Sequence, residues 1–274
     1  MRNHITACCP LLTAFCLLPS AYCLLPTIPM EPEYQRQGSG PAFVYVAGVE
    51  GTGRLFYKQA ADLARDHTVI TFPLRGVGSY AMPALIEDLL WIVRDAGFER
   101  ATVLGESFGG LLTMAAALAY PEIFKRMILV NTFPHFAERA RITFGVALFS
   151  VVPYALMKAY RTRATRNVLF GDDIGEEDRR LFREHTRIVP REGYISRMRI
   201  IRNTDLRTHL SRINIPALVV AGTADRFLDS ISAAKAIAAG LPRAKLKLIE
   251  GAGHTALLSD RVRVREWLRE FDDM

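Results

Sequence analysis

The sequence predicts an α/β fold in which a mostly parallel, doubly wound sheet carries an inserted helical cap. Three observations support this fold class. From Pro41 onward, short hydrophobic runs rich in β-branched residues alternate with amphipathic helical patterns. These runs are continuously apolar, which is typical of parallel strands covered by helices on both faces. One segment, residues 134–212, departs from the alternation because it contains helical patterns and no clear strand.

Six strands and five helices are predicted for the core, which covers residues 41–133 and 213–274. The strands are residues 42–48, 69–75, 101–105, 126–131, 217–222 and 245–249. The helices are residues 55–65, 85–95, 108–120, 231–239 and 262–271. Ligands of open α/β sheets bind at the carboxyl ends of the strands. The residues that follow each strand are therefore the candidates for a functional site.

The cap predicted over residues 134–212 is strongly basic. It contains 16 Arg and Lys residues against 9 Asp and Glu residues, a difference that equals the net charge of the whole chain. Two interpretations remain open for its basic clusters: a solvated helix face, or a surface that attracts an anionic carrier or a lipid headgroup. The clusters are Arg161/Arg163/Arg166 and Arg197/Arg199/Arg202. An apolar stretch over residues 144–157 packs the cap on the core, lines an acyl pocket or touches a membrane surface.

Size and composition limit the protein classes to which the chain can belong. Its 274 residues fit one large domain or one domain with an insertion. Half of the residues are hydrophobic and 23% are charged, which excludes a disordered or collagen-like chain. The net charge of +7 favours anionic partners but falls well short of a dedicated nucleic-acid-binding protein. We therefore expect no nucleic-acid partner.

The first thirty residues differ from the rest. All four cysteines lie within the first 23 residues, so neither disulfides nor a Cys-based zinc site can hold the main domain together. Residues 1–30 are interpreted as a leader or disordered segment, or as an upstream extension of a true start at Met30. A signal or anchor and a structural element are the alternatives. The cytoplasm is the favoured compartment, and export or membrane association would follow if this segment acts as a signal.

A candidate nucleophile follows the third predicted strand. Gly105-Glu106-Ser107-Phe108-Gly109 is a G-x-S-x-G pattern between a strand and a helix, which is the context that a nucleophilic serine requires. The glycines lack Cβ atoms and leave room for a strained turn that lifts the Ser107 hydroxyl clear of the sheet. Glu106 is interpreted as structural or solvent-facing. The alternative is a tight Gly/Ser turn without chemistry.

A serine nucleophile needs a base, and the base needs an orienting carboxylate. His254 is the only one of the six histidines that follows a strand within a glycine-rich turn. Asp225 follows the strand predicted over residues 217–222 and precedes His254, so the chain order is Ser, Asp, His. The alternatives are an ordinary loop histidine and a helix N-cap aspartate.

These motifs together resemble the signature regions of the α/β-hydrolase superfamily. The resemblance covers roughly residues 41–274 and rests on residues 105–110, 222–225 and 251–254. It implies Ser107 as nucleophile, Asp225 as acid and His254 as base, with residues 133–212 as the helical lid of the family. Residues 75–79 likewise resemble the R-G-x-G-x-S turn of the family.

Two departures from the family pattern concern the oxyanion hole and the sheet edge. Residues 47–53 replace the common His-Gly pair and resemble the Pro-Gly-x-Asp-Gly-Thr-Gly version of some esterase- and acyltransferase-like members. The resemblance implies the backbone N–H groups of Val49 and Phe108 as oxyanion donors, and main-chain donors need no particular side chain. A phosphate loop is disfavoured because no Lys-Ser/Thr follows these glycines. Residues 30–41 are too few for the first two strands of the family, so we expect a truncated sheet edge.

The predicted function is that of a serine hydrolase. We expect it to cleave an apolar carboxylic ester or thioester through an acyl-enzyme on Ser107. Substrates with and without an anionic head are both open alternatives. The alternatives are acyl transfer or another carbonyl or C–C bond cleavage by the same triad, and a non-enzymatic ligand receptor of the same fold. An aspartate nucleophile, as in haloalkane and epoxide hydrolases, is disfavoured because the elbow holds Ser107. No metal and no organic cofactor is expected.

Overall fold

A computed structural model describes residues 31–165 and 168–271 of the chain. Its strands are β1 (Gln35–Gln37), β2 (Ala42–Val46), β3 (Thr68–Thr71), β4 (Ala101–Glu106), β5 (Phe124–Val130), β6 (Ala217–Gly222) and β7 (Ala244–Ile249). Its helices are α1 (Tyr57–Leu63), α2 (Met82–Asp95), α3 (Phe108–Ala119), α4 (Arg139–Val151), α5 (Tyr154–Thr165), α6 (Glu176–His185), α7 (Arg191–Asn203), α8 (Ser230–Gly240) and α9 (Val264–Trp267). The leader predicted over residues 1–30 and Arg166 of one basic cluster lie outside the described residues.

The sheet confirms the predicted fold class. Its strand order is β1-β3-β2-β4-β5-β6-β7, and every neighbouring pair from β3 onward is parallel. The exception is β1, which pairs antiparallel with β3 at the edge. The sequence did not predict β1, because three exposed polar residues carry no hydrophobic signal. The truncated edge expected from the sequence therefore carries one short strand.

The continuously apolar strands are explained by two hydrophobic layers. In β2 all five residues are buried, and alternate side chains point to opposite faces of the sheet. Val44 and Val46 pack with α2 and α3 in one layer. Phe43 and Tyr45 pack with α1 and the C-terminal segment in the other. A sheet covered on both faces leaves only its strand ends open to a ligand.

Two predicted strands are shorter in the structure: the strand predicted over residues 42–48 ends at Val46, and the larger difference is at β3. The sequence predicts strand over residues 69–75, whereas β3 ends at Thr71. The chain beyond this point leaves the sheet because the N–H of Leu74 donates to the carbonyl of Gly51, 2.8 Å away, rather than to a neighbouring strand. The hydrophobic run thus continues past the strand into a contact with the loop that follows β2.

The segment predicted as a cap contains α4, α5, α6 and α7. Its two ends meet, since His135 and Asp205 form an isolated β-bridge and the N–H of Leu206 donates to the carbonyl of Pro134 at 2.8 Å. Of the apolar stretch, Met157 is fully buried, whereas Phe144 is 69% exposed. In the part of the chain that the structure describes, no helix combines the length and apolar character of a membrane span.

The solvated-face interpretation is wrong for two arginines of the basic clusters. Arg161 is only 7% exposed and Arg197 only 1%. Arg163 and Arg199 are exposed, as a solvated helix face requires. The buried pair differs because each guanidinium reaches from the cap to the loop after β2, where it finds hydrogen-bond acceptors.

Candidate active site

Ser107 lies at a sharp turn between β4 and α3. Its backbone has φ 54° and ψ −118°, a conformation that costs a non-glycine residue about 1–3 kcal/mol. Hydrogen bonds hold the turn on both sides: the Ser107 N–H donates to the carbonyl of Val130 at 2.9 Å, and the Thr132 hydroxyl donates to the Ser107 carbonyl at 2.6 Å. The strand–turn–helix context predicted from the sequence is present, and its strain is confined to the serine.

The flanking glycines permit this turn because the backbones approach closely. A Cβ at position 105 would lie 2.5 Å from the carbonyl oxygen of Gly109. A Cβ at position 109 would clash with the carbonyl oxygen of Val46 at the end of β2. The spacing of the G-x-S-x-G pattern therefore follows from the packing of α3 against two neighbouring strands.

The structure brings Ser107, His254 and Asp225 into one hydrogen-bonded chain. His254 Nε2 lies 3.1 Å from Ser107 Oγ, and His254 Nδ1 lies 2.7 Å from Asp225 Oδ2. In the matching tautomer, Nδ1–H donates to the carboxylate and Nε2 accepts the serine hydroxyl. Ser107 and His254 are each 7% exposed. This arrangement can take a proton from a serine that attacks a carbonyl carbon.

Asp225 is held as an ionised acceptor. Its Oδ1 accepts the N–H groups of Phe227 at 2.8 Å and Leu228 at 3.1 Å. Its Oδ2 accepts the Ser230 hydroxyl at 2.5 Å as well as His254. Burial raises the pKa of Asp225, but His254 and these hydrogen bonds outweigh it and hold the pKa below the ordinary value.

The alternative role of Asp225 as a helix N-cap does not apply. The N-cap of α8 is Asp229, whose side chain accepts the N–H of Ser232 at 3.1 Å. Asp225 lies four residues before Asp229, in the loop between β6 and α8, and its carboxylate is directed at His254. Its hydrogen bonds to Phe227 and Leu228 fix the loop rather than the helix terminus.

The predicted oxyanion donors Val49 and Phe108 lie on either side of the serine turn. Phe108 begins α3, and the N–H of a first helical residue has no acceptor within the helix. Val49 follows Gly48, where a Cβ would lie 3.5 Å from Ser107 Cβ. The loop that carries Val49 therefore lies close to the Ser107 side chain, and the N–H groups of Val49 and Phe108 remain the predicted oxyanion donors.

Arg197 contacts the site although no sequence motif predicts it there. From α7, its Nε donates to the Val49 carbonyl at 2.7 Å. Its Nη1 donates to the Arg75 carbonyl at 2.9 Å and to Tyr80 Oη at 3.0 Å. Burial lowers the pKa of Arg197, while Tyr80 and Tyr194 oppose this shift. A cap helix thereby holds the loop that carries a predicted oxyanion donor.

Glu106, next to the nucleophile, is not solvent-facing. It is the last residue of β4 and is only 7% exposed. The Tyr45 hydroxyl donates to its Oε2 at 2.7 Å. Burial raises the pKa of Glu106, and the hydrogen bond from Tyr45 and the charge of His254 offset part of this rise. Of the two interpretations offered by the sequence, the structural one agrees with this environment.

A second residue outside the sequence-based candidates is Asn131, directly after β5. Its Nδ2 donates to the carbonyls of Gly253 at 3.0 Å and His254 at 2.8 Å, and its Oδ1 accepts the N–H of Gly222 at 2.8 Å. It is fully buried and has φ 44°, a left-handed conformation that asparagine adopts more readily than most residues. Asn131 thus joins the end of β6 to the turn that carries His254. An asparagine after a buried strand was the one available sequence signal.

Replacing Asn131 with alanine is expected to lower kcat roughly 10–100-fold, because the turn that carries His254 loses two of its hydrogen bonds. The free energy of unfolding is expected to fall by about 2–3 kcal/mol, since buried carbonyls lose their donors. Steady-state kinetics and urea unfolding measure both effects. Asn203→Ala, at an exposed position, is the control and should change neither. An unchanged kcat in folded Asn131→Ala would contradict this role.

No three His, Cys, Asp or Glu side chains among residues 31–165 and 168–271 are arranged to hold a metal ion. His254 is bonded to Asp225 and to Ser107, and Asp225 also accepts hydrogen bonds from its own loop and from Ser230. The described side chains of the site are therefore a hydroxyl, an imidazole and a carboxylate.

Comparison with known proteins places this geometry in a family. A model of the alpha/beta hydrolase fold matches residues 41–260. The chain is 25% identical over 256 residues to RutD of Pseudomonas savastanoi pv. phaseolicola, whose name proposes that it hydrolyses carbamate; the match covers 86% of this chain and 95% of that protein. It is 30% identical over 243 residues to the polyketide synthase ThaQ of Burkholderia thailandensis, covering 83% of this chain and 11% of that longer protein.

A solved structure agrees with the fold. The enol-lactonase of Burkholderia xenovorans LB400 superposes with a TM-score of 0.76 at 20% identity, covering 88% of this chain and 96% of that one. The family match spans most of the described core, including the serine turn and the loops of Asp225 and His254. The protein therefore belongs to the α/β-hydrolase family.

Proposed function

We propose that the protein is a serine hydrolase that cleaves a carboxylic ester or thioester through an acyl-enzyme on Ser107. The observation that carries the proposal is the hydrogen-bonded chain from Ser107 through His254 to Asp225. The family of the chain and the hydrolytic names of its relatives support hydrolysis as the reaction class. To this reaction class the proposal adds the identity of the nucleophile, Ser107, and the type of bond that is cleaved.

In the acylation step, Ser107 Oγ attacks the carbonyl carbon of the substrate while His254 Nε2 accepts its proton. The carbonyl oxygen becomes an oxyanion, which the N–H groups of Val49 and Phe108 stabilise. The bond to the leaving group then breaks, and His254 gives its proton to the departing alcohol or thiol. Asp225 remains ionised throughout and stabilises the imidazolium.

In the deacylation step, His254 accepts a proton from water and the resulting hydroxide attacks the acyl carbon. A second oxyanion forms in the same place, and Ser107 leaves with the proton held by His254. The products are a carboxylic acid and the free serine. An alcohol in place of water would give a new ester, so acyl transfer differs only in the acceptor. The same attack applies to a carbamate carbonyl, in keeping with the name of RutD.

Burial supports this use of the site. Ser107 and His254 are largely shielded from solvent, and the Phe227 ring lies 4.8 Å from the His254 ring. Exclusion of water strengthens the hydrogen bonds that stabilise a developing oxyanion. A solvated serine turn without chemistry would not need a buried imidazole directed at its hydroxyl.

The proposal predicts that a fluorophosphonate probe labels Ser107 at one probe per chain, because only an activated serine attacks phosphorus readily. Mass spectrometry of the labelled peptide identifies the residue. A p-nitrophenyl ester series of rising chain length should show turnover, with an initial burst of p-nitrophenol where deacylation is slow. A preference for longer chains would indicate an apolar acyl pocket.

Two results would contradict serine hydrolysis. Labelling of Ser107 without turnover of any ester or thioester would favour a ligand receptor of this fold. Formation of mainly ester product in the presence of a competing alcohol would favour an acyltransferase. The control is the His254→Ala variant, which keeps Ser107 but should react far more slowly with the probe.

A further inference from the structure

A cavity of about 540 Å³ lies between the cap and the loop after β2. This volume falls within the range of small-molecule sites. Most of its lining comes from α5, from α6 and from the segments that border α6. The lining residues are Glu50, Lys158, Arg161, Phe170, Arg180, Phe182, Arg183, Glu184, Thr186 and Arg187.

The cavity adjoins both loops of the candidate site. Glu50 directly follows Val49, the predicted oxyanion donor. Phe170 contacts the turn before His254, since a Cβ at Gly253 would lie 2.6 Å from the Phe170 carbonyl carbon. The cavity therefore lies next to the loops that carry Val49 and His254.

The charge of the lining is strongly positive. Five basic side chains face two acidic ones, which leaves a net charge of +3. Both acids are already bonded to arginines, Glu50 to Arg161 and Glu184 to Arg180. The sequence between Glu138 and Asp172 contains no acidic residue, so α5 supplies none.

Three of these cations form no ion pair with another described residue: Lys158, Arg183 and Arg187. Cations gathered around a concave surface raise the local concentration of an anion and bind it through charge-assisted hydrogen bonds. On an open helix face, the same cations would be solvated and would select nothing. Their position around a cavity that adjoins the Val49 loop and the His254 turn is what indicates a ligand.

Helix α6, which supplies part of the cavity lining, is bonded to the core. Asp178 fastens α6 to α1, because it accepts Tyr57 Oη at 2.6 Å and Lys58 Nζ at 2.7 Å. The rings of Phe170 and Phe182 pack edge to face with centroids 5.2 Å apart. A lining that combines packed aromatic rings with cations suits a substrate whose apolar chain ends in a charged group.

We propose that this cavity is a subsite for an anionic group of the substrate, a phosphate or carboxylate carried by the acyl chain or by the leaving group. Lys158, Arg183 and Arg187 bind the anion, while the carbonyl lies at Ser107. This subsite rests on the proposed function, since it names the substrate class of the same serine. The subsite selects anionic substrates over neutral ones, and hydrolysis of neutral esters does not require it.

The test compares substrates that differ only in the anion. Acyl-pantetheine and its 4′-phosphorylated form differ by one phosphate on the leaving group. The p-nitrophenyl esters of butyrate and hemisuccinate differ by a carboxylate on the acyl chain. We expect the anionic member of at least one pair to have a kcat/KM roughly tenfold higher or more, decreasing as salt is added.

The Arg183→Gln/Arg187→Gln double variant should lower the preference for the anionic substrate roughly tenfold. It should leave kcat/KM for the neutral substrate unchanged. Both residues are exposed, so folding should not be affected. Arg199→Gln, an exposed cap arginine outside the cavity, is the matched control. The pair that responds shows whether the anion is a phosphate on the leaving group or a carboxylate on the acyl chain. Equal effects on both members of each pair, or no effect, would overturn the subsite.

A binding measurement separates this proposal from the serine mechanism. Calorimetric titration of the Ser107→Ala variant with phosphopantetheine, pantetheine, succinate and butyrate needs no turnover. Tighter binding of an anionic ligand than of its matched ligand, lost in the double variant, supports the subsite even if no ester is hydrolysed. The same affinity for anionic and matched ligands overturns it even if Ser107 is catalytic. Tighter binding of succinate than of butyrate, with equal binding of phosphopantetheine and pantetheine, assigns the carboxylate.

Discussion

Ser107→Ala is expected to lower kcat/KM for the best ester or thioester on the order of 10³–10⁶-fold. The reason is that alanine removes the attacking oxygen, while His254, Asp225 and the backbone donors remain in place. A small residual rate should persist, because an intact oxyanion hole and bound substrate still favour attack by water. Steady-state hydrolysis measures the loss of activity, and fluorophosphonate labelling measures the loss of the reactive hydroxyl.

Ser211→Ala is the matched control for this substitution, since Ser211 is exposed and distant in sequence from the serine turn. This variant should keep full activity and full labelling of Ser107. No other residue of the chain should be labelled. A Ser107→Ala protein that is folded by circular dichroism and retains more than about a tenth of the activity would contradict nucleophilic catalysis at this position.

Asp225→Asn is expected to lower kcat by about 10⁴-fold, the scale typical of an acid that sets the histidine tautomer. Each carboxylate oxygen of Asp225 accepts two hydrogen bonds, from Phe227 and Leu228 on one side and from Ser230 and His254 on the other. An amide has only one accepting oxygen, so its NH₂ group must face donors on one side. Rates of ester hydrolysis in the wild type and the variant measure the effect.

Ser230→Ala is the control that separates two roles of Asp225, which are to orient and charge-stabilise His254 and to hold the geometry of its own loop. It removes one of the four donors and leaves the carboxylate and its bond to His254 intact, so kcat should fall less than about tenfold. If Ser230→Ala lost as much activity as Asp225→Asn, loop geometry rather than the charge of the acid would explain both variants.

The pH dependence of stability provides a further measure of Asp225. Its pKa is lower in the folded state than the ordinary value of 3.8, so its carboxylate stabilises the fold above the unfolded-state pKa. This contribution is lost as the pH falls through the folded-state pKa. The difference in unfolding free energy between the wild type and Asp225→Asn should therefore be constant at neutral pH and shrink on acidification. Urea unfolding from about pH 7 to about pH 3 tests this, and a difference that does not change with pH would contradict it.

Features that depend on local pattern can be predicted from the amino-acid sequence. Parallel strands buried on both faces are continuous apolar runs, so β4 and β6 were predicted almost to the residue. The strained serine turn needs glycines at set positions, which makes it visible as a motif. The carboxyl ends of parallel strands meet at one edge, so Asp225 and His254 could be predicted to approach Ser107.

The burial of polar residues and the identity of their partners depend instead on contacts between distant parts of the chain. Arg161 and Arg197 have the same local surroundings as solvated arginines, and their burial arises from the loop after β2, more than 100 residues earlier in the chain. Asn131 is likewise distinguished by contacts with turns that follow other strands. The free energy of a buried polar group depends on partners that meet it in space, and spacing along the chain does not encode them.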